Sequence, residues 1–179
     1  MALTVINCFG GPGTGKSTTA AGLFFLLKVG YHESELALEY AKYLVWSKRV
    51  GVFDEQNYIF AKQTHRLHIL KDQVDYAVTD CPLLLASVYG SHLSQSFQDY
   101  VAETFNSYEN VNIYLNRVKD FRPKGRFQDE AGADKISVKV KKLMIDLKIP
   151  FTEIDATPKA PWEIYKMVIG KEAELKYHG

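Results

Sequence analysis

Gly10-Gly11-Pro12-Gly13-Thr14-Gly15-Lys16-Ser17 matches the pattern G-x-x-x-x-G-K-[ST] at every fixed position. An apolar run, residues 4–9, precedes it, and a helix-periodic run begins at Lys16, so the strand–loop–helix context is present as well. Glycines let the chain curl until successive N–H groups converge on one point, and the helix starting there adds partial positive charge. Such a cradle takes a chain of phosphates. Gly11, Pro12, Gly13, Thr14, Gly15, Lys16, Ser17 and Thr18 are the expected ATP-binding set, with ATP and Mg2+ as the expected ligands. Lys16 is placed to reach the β- and γ-phosphates, and Ser17 to ligand Mg2+ through its hydroxyl. Thr18 and Thr19 either touch the α-phosphate or are ordinary helix residues.

Working outward from this loop, strand and helix patterns alternate. Strands are predicted at residues 4–9, 34–39, 75–80, 111–115 and 151–155. Helices are predicted at 16–29, 40–48, 54–73, 83–89, 94–108, 129–148 and from Pro161 onward, with Asp54 as an N-cap and Pro161 in a first turn. Expected inward stripes are Ala20, Leu23, Phe24 and Leu27 in the first long helix, and Ile136, Val140, Leu143 and Leu147 in the penultimate one. Alternation of this kind implies a parallel sheet with right-handed crossovers. The expected fold class is α/β, a P-loop NTPase of nucleoside- or nucleotide-kinase type, with a five-stranded parallel sheet flanked by helices. Residues 1–179 are expected to form one domain, with residues 116–128 as a lid loop within it.

Composition agrees with that class. Of 179 residues, 46 % are apolar and 24 % charged, and the net charge is +1, so no global attraction to a polyanion is expected. No stretch has the length of a membrane span, and residues 1–5 lack the basic start of a secretory leader. Cys8 and Cys81 have no metal-ligand spacing and read as reduced, buried thiols, which suits a cytoplasm.

A P-loop by itself does not separate kinases from GTPases and ATPases. The guanine-reading Asn-Lys-x-Asp is absent, and the acid at the end of the third strand, Asp80, is followed by Cys81 rather than by a second acid. Both points favour a small-molecule kinase. Asp80 sits where open α/β sheets place their ligands, and there it either handles Mg2+ with Ser17 or takes a proton from an acceptor hydroxyl; its plainer reading is a strand terminus facing solvent or a helix N-cap for the residues after Pro82. Glu39, ending the second strand on the same edge, is the other candidate base; its plainer reading is a helix-start acid favoured by the dipole. On the 54–73 helix, Gln56 and Gln63 fall on the same stripe as Phe60, Leu67, Leu70 and Val74. A buried amide needs a partner. Either Gln63, with Arg66 nearby, reads a nucleobase edge as a substrate-binding pair, or its amide is satisfied by backbone. His65 and His68 have no matching metal partners and are expected at the surface. Arg117, Lys119, Arg122, Lys124 and Arg126 crowd the loop after the fourth strand, shaped by Pro123 and Gly125. Lid cations there stabilise charge on a transferring phosphoryl group, so Arg117, Arg122 and Arg126 are the expected catalytic contacts, beside Lys16, Asp80 and Glu39; the plainer reading is a mobile, solvated basic loop without a catalytic role. The loop after the last strand, residues 156–161, is expected against the adenine.

With these residues placed, the chain resembles the P-loop kinase/ATPase family that includes nicotinamide riboside kinase domains and bacterial and phage members. The resemblance rests on residues 10–17, on Leu38-Glu39-Tyr40-Ala41-Lys42 (similar to a family Pro-Glu-Tyr-Ala-Arg), on Gln63, on Val78-Thr79-Asp80, and on Arg117-Val118-Lys119 through Pro123-Lys124-Gly125-Arg126-Phe127-Gln128. It implies transfer of the γ-phosphoryl group of ATP to a hydroxyl of a nucleoside- or nucleotide-like acceptor, in a bacterial or phage-infected host cytoplasm. A hydroxymethylated base in phage DNA is the alternative acceptor, met by the basic loop, and an ATP-binding switch or ATPase is the alternative from another class. No membrane partner is expected, and a homodimer stays open.

Overall fold

A computed structural model describes residues 2–48, 50–122 and 129–170. In chain order the elements are β1 (Thr4–Phe9), α1 (Lys16–Val29), β2 (Ser34–Ala37), α2 (Tyr40–Trp46), a 3-10 turn (Val50–Asp54), α3 (Gln56–His68), β3 (Tyr76–Thr79), α4 (Leu85–Tyr89), α5 (Gln95–Asn106), β4 (Glu109–Asn116), α6 (Glu130–Asp146), β5 (Thr152–Asp155) and α7 (Ala160–Ile169). The five strands form one parallel sheet in the order β2-β3-β1-β4-β5. The fold is the expected α/β P-loop NTPase fold, a five-stranded parallel sheet flanked by helices.

Alternation along β1 divides the core between the two faces of this sheet. Val5 and Phe9 pack with Ala77, Phe60, Leu67, Phe97, Val101, Phe105, Val140 and Met144, under α3, α5 and α6. Ile6 and Cys8 pack with Val78, Ile113 and Leu115, under Ala20, Leu23 and Leu27 of α1 and Ile164 and Tyr165 of α7. Burial on both faces explains why these strands read as short continuous apolar runs. Strand order also fixes where the chemistry sits. From β1 the chain passes over β3 to reach β2, and from β3 it passes over β1 to reach β4. The connections that leave β1 and β3 therefore run in opposite directions, and the glycine-rich loop lies at the carboxyl end of β1, beside the crevice at that reversal. Asn7 is paired with Thr79, which sets Asp80 beside that loop.

Three expectations are corrected. The predicted helix over 54–73 is shorter: a 3-10 turn ends at Asp54, Glu55 takes the N-cap position, and α3 stops at His68. Tightened turns carry the chain on, with Leu70 N–H donating to Leu67 O at 3.1 Å and Asp72 at φ 61°, so Leu70 and Val74 pack on the core from outside the helix. β2 ends at Ala37, before Glu39, because the next backbone groups turn to side chains instead of a strand. The inward face of α6 runs through Ala133, Val140 and Met144, while Leu147, at its C-cap, is 43 % exposed. Among the described residues no helix is long and apolar enough to cross a membrane.

The small residues of α6 face the phosphate loop. A Cβ added to Gly11 would lie 2.1 Å from Ser137 Oγ and 2.6 Å from the carbonyl oxygen of Ala133. Gly11→Ala therefore forces backbone to move, and overpacking of this kind costs about 1–3 kcal/mol. Gly51→Ala, whose Cβ meets nothing within 4 Å, is the control and does not lower stability. Urea unfolding of the two variants beside the parent protein reads the difference as a drop in midpoint for Gly11→Ala alone.

Candidate functional site

The loop from Gly10 to Gly15 is shaped by three left-handed glycines, Gly10 at φ 137°, Gly13 at φ 83° and Gly15 at φ 103°. Gly15 is also the N-cap of α1 and supplies no side-chain cap, which leaves the first-turn N–H groups for an anion. Thr14 Oγ1 donates to the carbonyl of Gly11 at 3.0 Å and locks the curl. Lys16 folds back over the loop and donates from Nζ to the carbonyls of Gly10 at 2.9 Å and Gly11 at 2.8 Å. Gly11, Pro12, Gly13 and Thr14 are buried, whereas Thr18 is exposed and Thr19 buried. The loop after β5 comes alongside as expected, since a Cβ on Gly15 would lie 3.1 Å from Cβ of Ala156.

Asp80 is 1 % exposed and joins two parts of the site. Its Oδ2 accepts from the hydroxyl of Ser17 at 2.5 Å, and its Oδ1 accepts from the backbone N–H of Glu39 at 2.8 Å. The first length belongs to a charge-assisted O–H···O⁻ bond. Ser17 and Asp80 thus bring a hydroxyl and a carboxylate together at the mouth of the phosphate loop. These are hard oxygen donors, the kind Mg2+ takes in ones or twos alongside substrate phosphates, so the residues fit that ion. Among the described residues no group of three or more His, Cys, Asp or Glu forms a metal cage.

Glu39 is half-buried and begins α2 as its N-cap. Its charge reaches two neighbours. Burial first, then Glu39, pushes the Cys81 thiol well above its ordinary value, and the same two causes in the same order push the Tyr89 hydroxyl up. The charge of Glu39 is thus felt at Cys81 and Tyr89, beside Asp80.

Gln63 and Arg66 are engaged with the protein's own backbone. Gln63 is 3 % exposed; its Oε1 accepts from the N–H of Tyr40 at 3.3 Å and its Nε2 donates to Thr79 Oγ1 at 3.4 Å. Arg66 donates from Nη1 to the carbonyl of Leu38 and lies over the ring of Tyr40 at 5.5 Å. The amide of Gln63 thus has one backbone partner and one side-chain partner within the fold. Thr79 and Tyr89 are the residues that sequence reasoning did not single out. For Thr79 the available signal was a hydroxyl ending an apolar strand; for Tyr89 there was none. His65 and His68 are exposed, as expected.

The basic loop divides. Arg117 pairs with two acids of α6, Asp134 at 2.6 Å and Glu130 at 3.3 Å, and lies over the ring of Phe121 at 5.7 Å. Arg122 is exposed. Arg126, with the rest of residues 123–128 of the expected lid, lies outside the described residues.

No family model matches the chain, and no curated protein matches it. Solved structures do. The deoxyadenosine kinase from M. mycoides with bound dATP superposes with a TM-score of 0.56 at 16 % identity, over 93 % of this chain and 100 % of that one. The same enzyme with bound dCTP gives 0.54 at 18 %, over 92 % and 98 %. With products dCMP and a flexible dCDP it gives 0.53 at 16 %, over 93 % and 97 %. These neighbours are deoxynucleoside kinases rather than nicotinamide riboside or phage kinases, and at this identity the likeness is one of fold.

The site's thiols make a pH prediction. Burial, followed by the charge of Asp80, raises the Cys8 thiol from its ordinary 9.0 to about 12. A neutral thiol favoured by the fold contributes stability that is complete below pH 9 and is lost as the pH climbs from 9 toward 12, where the unfolded chain ionises first. Expected in a disulfide-exchange assay at pH 8 is slow reaction of Cys8, which is buried while Cys81 is partly exposed, in the native protein and its fast release in denaturant. Fast native labelling of Cys8 would contradict its burial.

Proposed function

We propose that this chain is an ATP-dependent kinase that transfers the γ-phosphoryl group to a hydroxyl of a nucleoside- or nucleotide-like acceptor. The observation that carries this reading is the shared carboxylate of Asp80, one oxygen on Ser17 in the phosphate cradle and the other on the backbone of Glu39. The second contact holds the backbone of Glu39, a candidate base for an acceptor hydroxyl, beside the cradle.

Each group then has a task. The N–H groups of the loop and of the first turn of α1 hold the phosphate chain. Lys16, whose ammonium lies over the loop on the carbonyls of Gly10 and Gly11, exchanges those partners for β- and γ-phosphate oxygens. Ser17 and Asp80 would hold Mg2+ through their oxygens, and the ion would supply positive charge against the triphosphate. Glu39 is the favoured base, because both oxygens of Asp80 already accept hydrogen bonds. The acceptor oxygen forms its bond to the γ-phosphorus as the bond to the β–γ bridging oxygen breaks, ADP departs, and Glu39 takes the hydroxyl proton. Arg117, Arg122 and Arg126 are assigned to the charge that develops on the moving phosphoryl group. For Arg117 this requires release from Asp134 and Glu130. The nucleotides bound by the M. mycoides enzyme make deoxynucleosides the first acceptors to try.

Incubation with γ-labelled ATP and a panel of deoxyadenosine, deoxycytidine, their monophosphates and hydroxymethylated duplex DNA identifies the acceptor. Label is expected in a small-molecule product; label in DNA alone would move the acceptor to the polymer, and label in none would end the kinase reading. Lys16→Ala is expected to lower transfer at least about a hundredfold, the scale of losing one transition-state donor, at an unchanged melting temperature. Undiminished transfer by that variant would overturn the site assignment.

A further inference from the structure

Past the last β2–β3 pair, Ala37 with Thr79, the sheet gives the chain no further support on this side, since β2 is an edge strand. Yet one backbone group on each of residues 37–40 is held by a side chain from outside. The carbonyl of Ala37 accepts from Thr79 Oγ1 at 2.9 Å, the carbonyl of Leu38 from Arg66, the N–H of Glu39 donates to Asp80, and the N–H of Tyr40 donates to Gln63. Four side chains from α3 and from the end of β3 thus fasten four consecutive residues, with Glu39 among them.

Thr79 is the junction of this strap. It is fully buried, and its one hydroxyl donates to Ala37 and accepts from Gln63 Nε2 and from the N–H of Cys81 at 3.1 Å, the full capacity of a hydroxyl. It therefore ties the residues before Glu39 to the residue after Asp80. Gln63 closes the circuit from the other side of Glu39. Mere filling of this space would suit an apolar side chain better than a buried amide, which costs desolvation wherever its bonds are imperfect.

We infer that Thr79 and Gln63 are positioning residues, which fix the carboxylate of Glu39 relative to the Ser17–Asp80 pair and so set the distance between acceptor base and phosphate cradle. The inference rests on the kinase reading above, with Glu39 as the base. Catalytic groups need placement to within about 0.5 Å, and a misplacement of about 1 Å can cost about a hundredfold in rate. Loss of either residue therefore acts on phosphoryl transfer and leaves ATP binding alone, because the contacts of the phosphate loop itself lie elsewhere.

The test is a mutant cycle read with the panel acceptor that the parent protein labels. Gln63→Met and Thr79→Val are each expected to lower kcat about ten- to a hundredfold with the Kd for ATP unchanged, and Thr79→Ser to restore most of the loss. Combined with Glu39→Gln, neither lowers kcat further, since both act through that carboxylate. Additive losses, or a lowered melting temperature with kcat intact, would overturn the inference. Hydrogen exchange at the Tyr40 amide is read in parallel and is expected to quicken in Gln63→Met. Unchanged exchange there sinks the strap, whereas absence of transfer by the parent protein, with exchange quickened, sinks the kinase reading and the role assigned to the strap with it.

Discussion

A buried carboxylate is tolerated only when its lone pairs are met, and Asp80 meets its own with the hydroxyl of Ser17 and the N–H of Glu39. Each partner comes from a different crossover of the sheet. Ser17 is in the first turn of α1, which follows β1, and Glu39 is the residue from which α2 starts after β2. Asp80 itself follows β3, which lies between β1 and β2. The central position of β3 in this half of the sheet is what lets one side chain reach both neighbours. The phosphate cradle on β1 and the acid at the end of β2 thereby share one electrostatic centre.

Parts of this were legible in the sequence, and the reason is locality. The glycine-rich loop at residues 10–17 declares itself because its glycines, lysine and serine stand at fixed offsets within one turn of chain, and β1, α1 and the strand ending near Asp80 follow from short-range periodicity. Gln63 and Arg66 were legible as polar residues needing partners, but not as clamps on the backbone of residues 38–40. That role depends on α3 lying against the end of β2, a contact between segments far apart in the chain. Thr79 carried only a weak signal, a hydroxyl at the end of an apolar strand, because threonine is commonplace in strands. The length of α3 was overread for a different reason: apolar spacing continues through Leu70 and Val74, while the left-handed Asp72 shows that the same spacing is met by a chain of turns.

The charged loop shows how the same residue type serves two ends. Arg117 was legible as a cation at a suggestive place. Its acids, Glu130 and Asp134, stand one turn apart at the start of α6, where negative charge is favoured by the helix dipole. Pairing of the loop's first arginine with the helix that follows the loop is a tertiary fact, set by how β4 and α6 meet rather than by any pattern within residues 116–128.

The close approach of Gly11 to Ala133 and Ser137 has a consequence for how this sequence is free to drift. Size at three positions is linked: as long as α6 lies at its present height, residues 133 and 137 stay small and residue 11 stays without a side chain, whatever their individual propensities. Variation in α6 is thus directional. Its outer face, where Val138 is 68 % exposed, accepts almost any helix former, and its inner face accepts only substitutions that subtract atoms. A library built on this chain would therefore exhaust itself on the inner face first, and recombination with a relative would succeed only when the phosphate loop and α6 are inherited as one block.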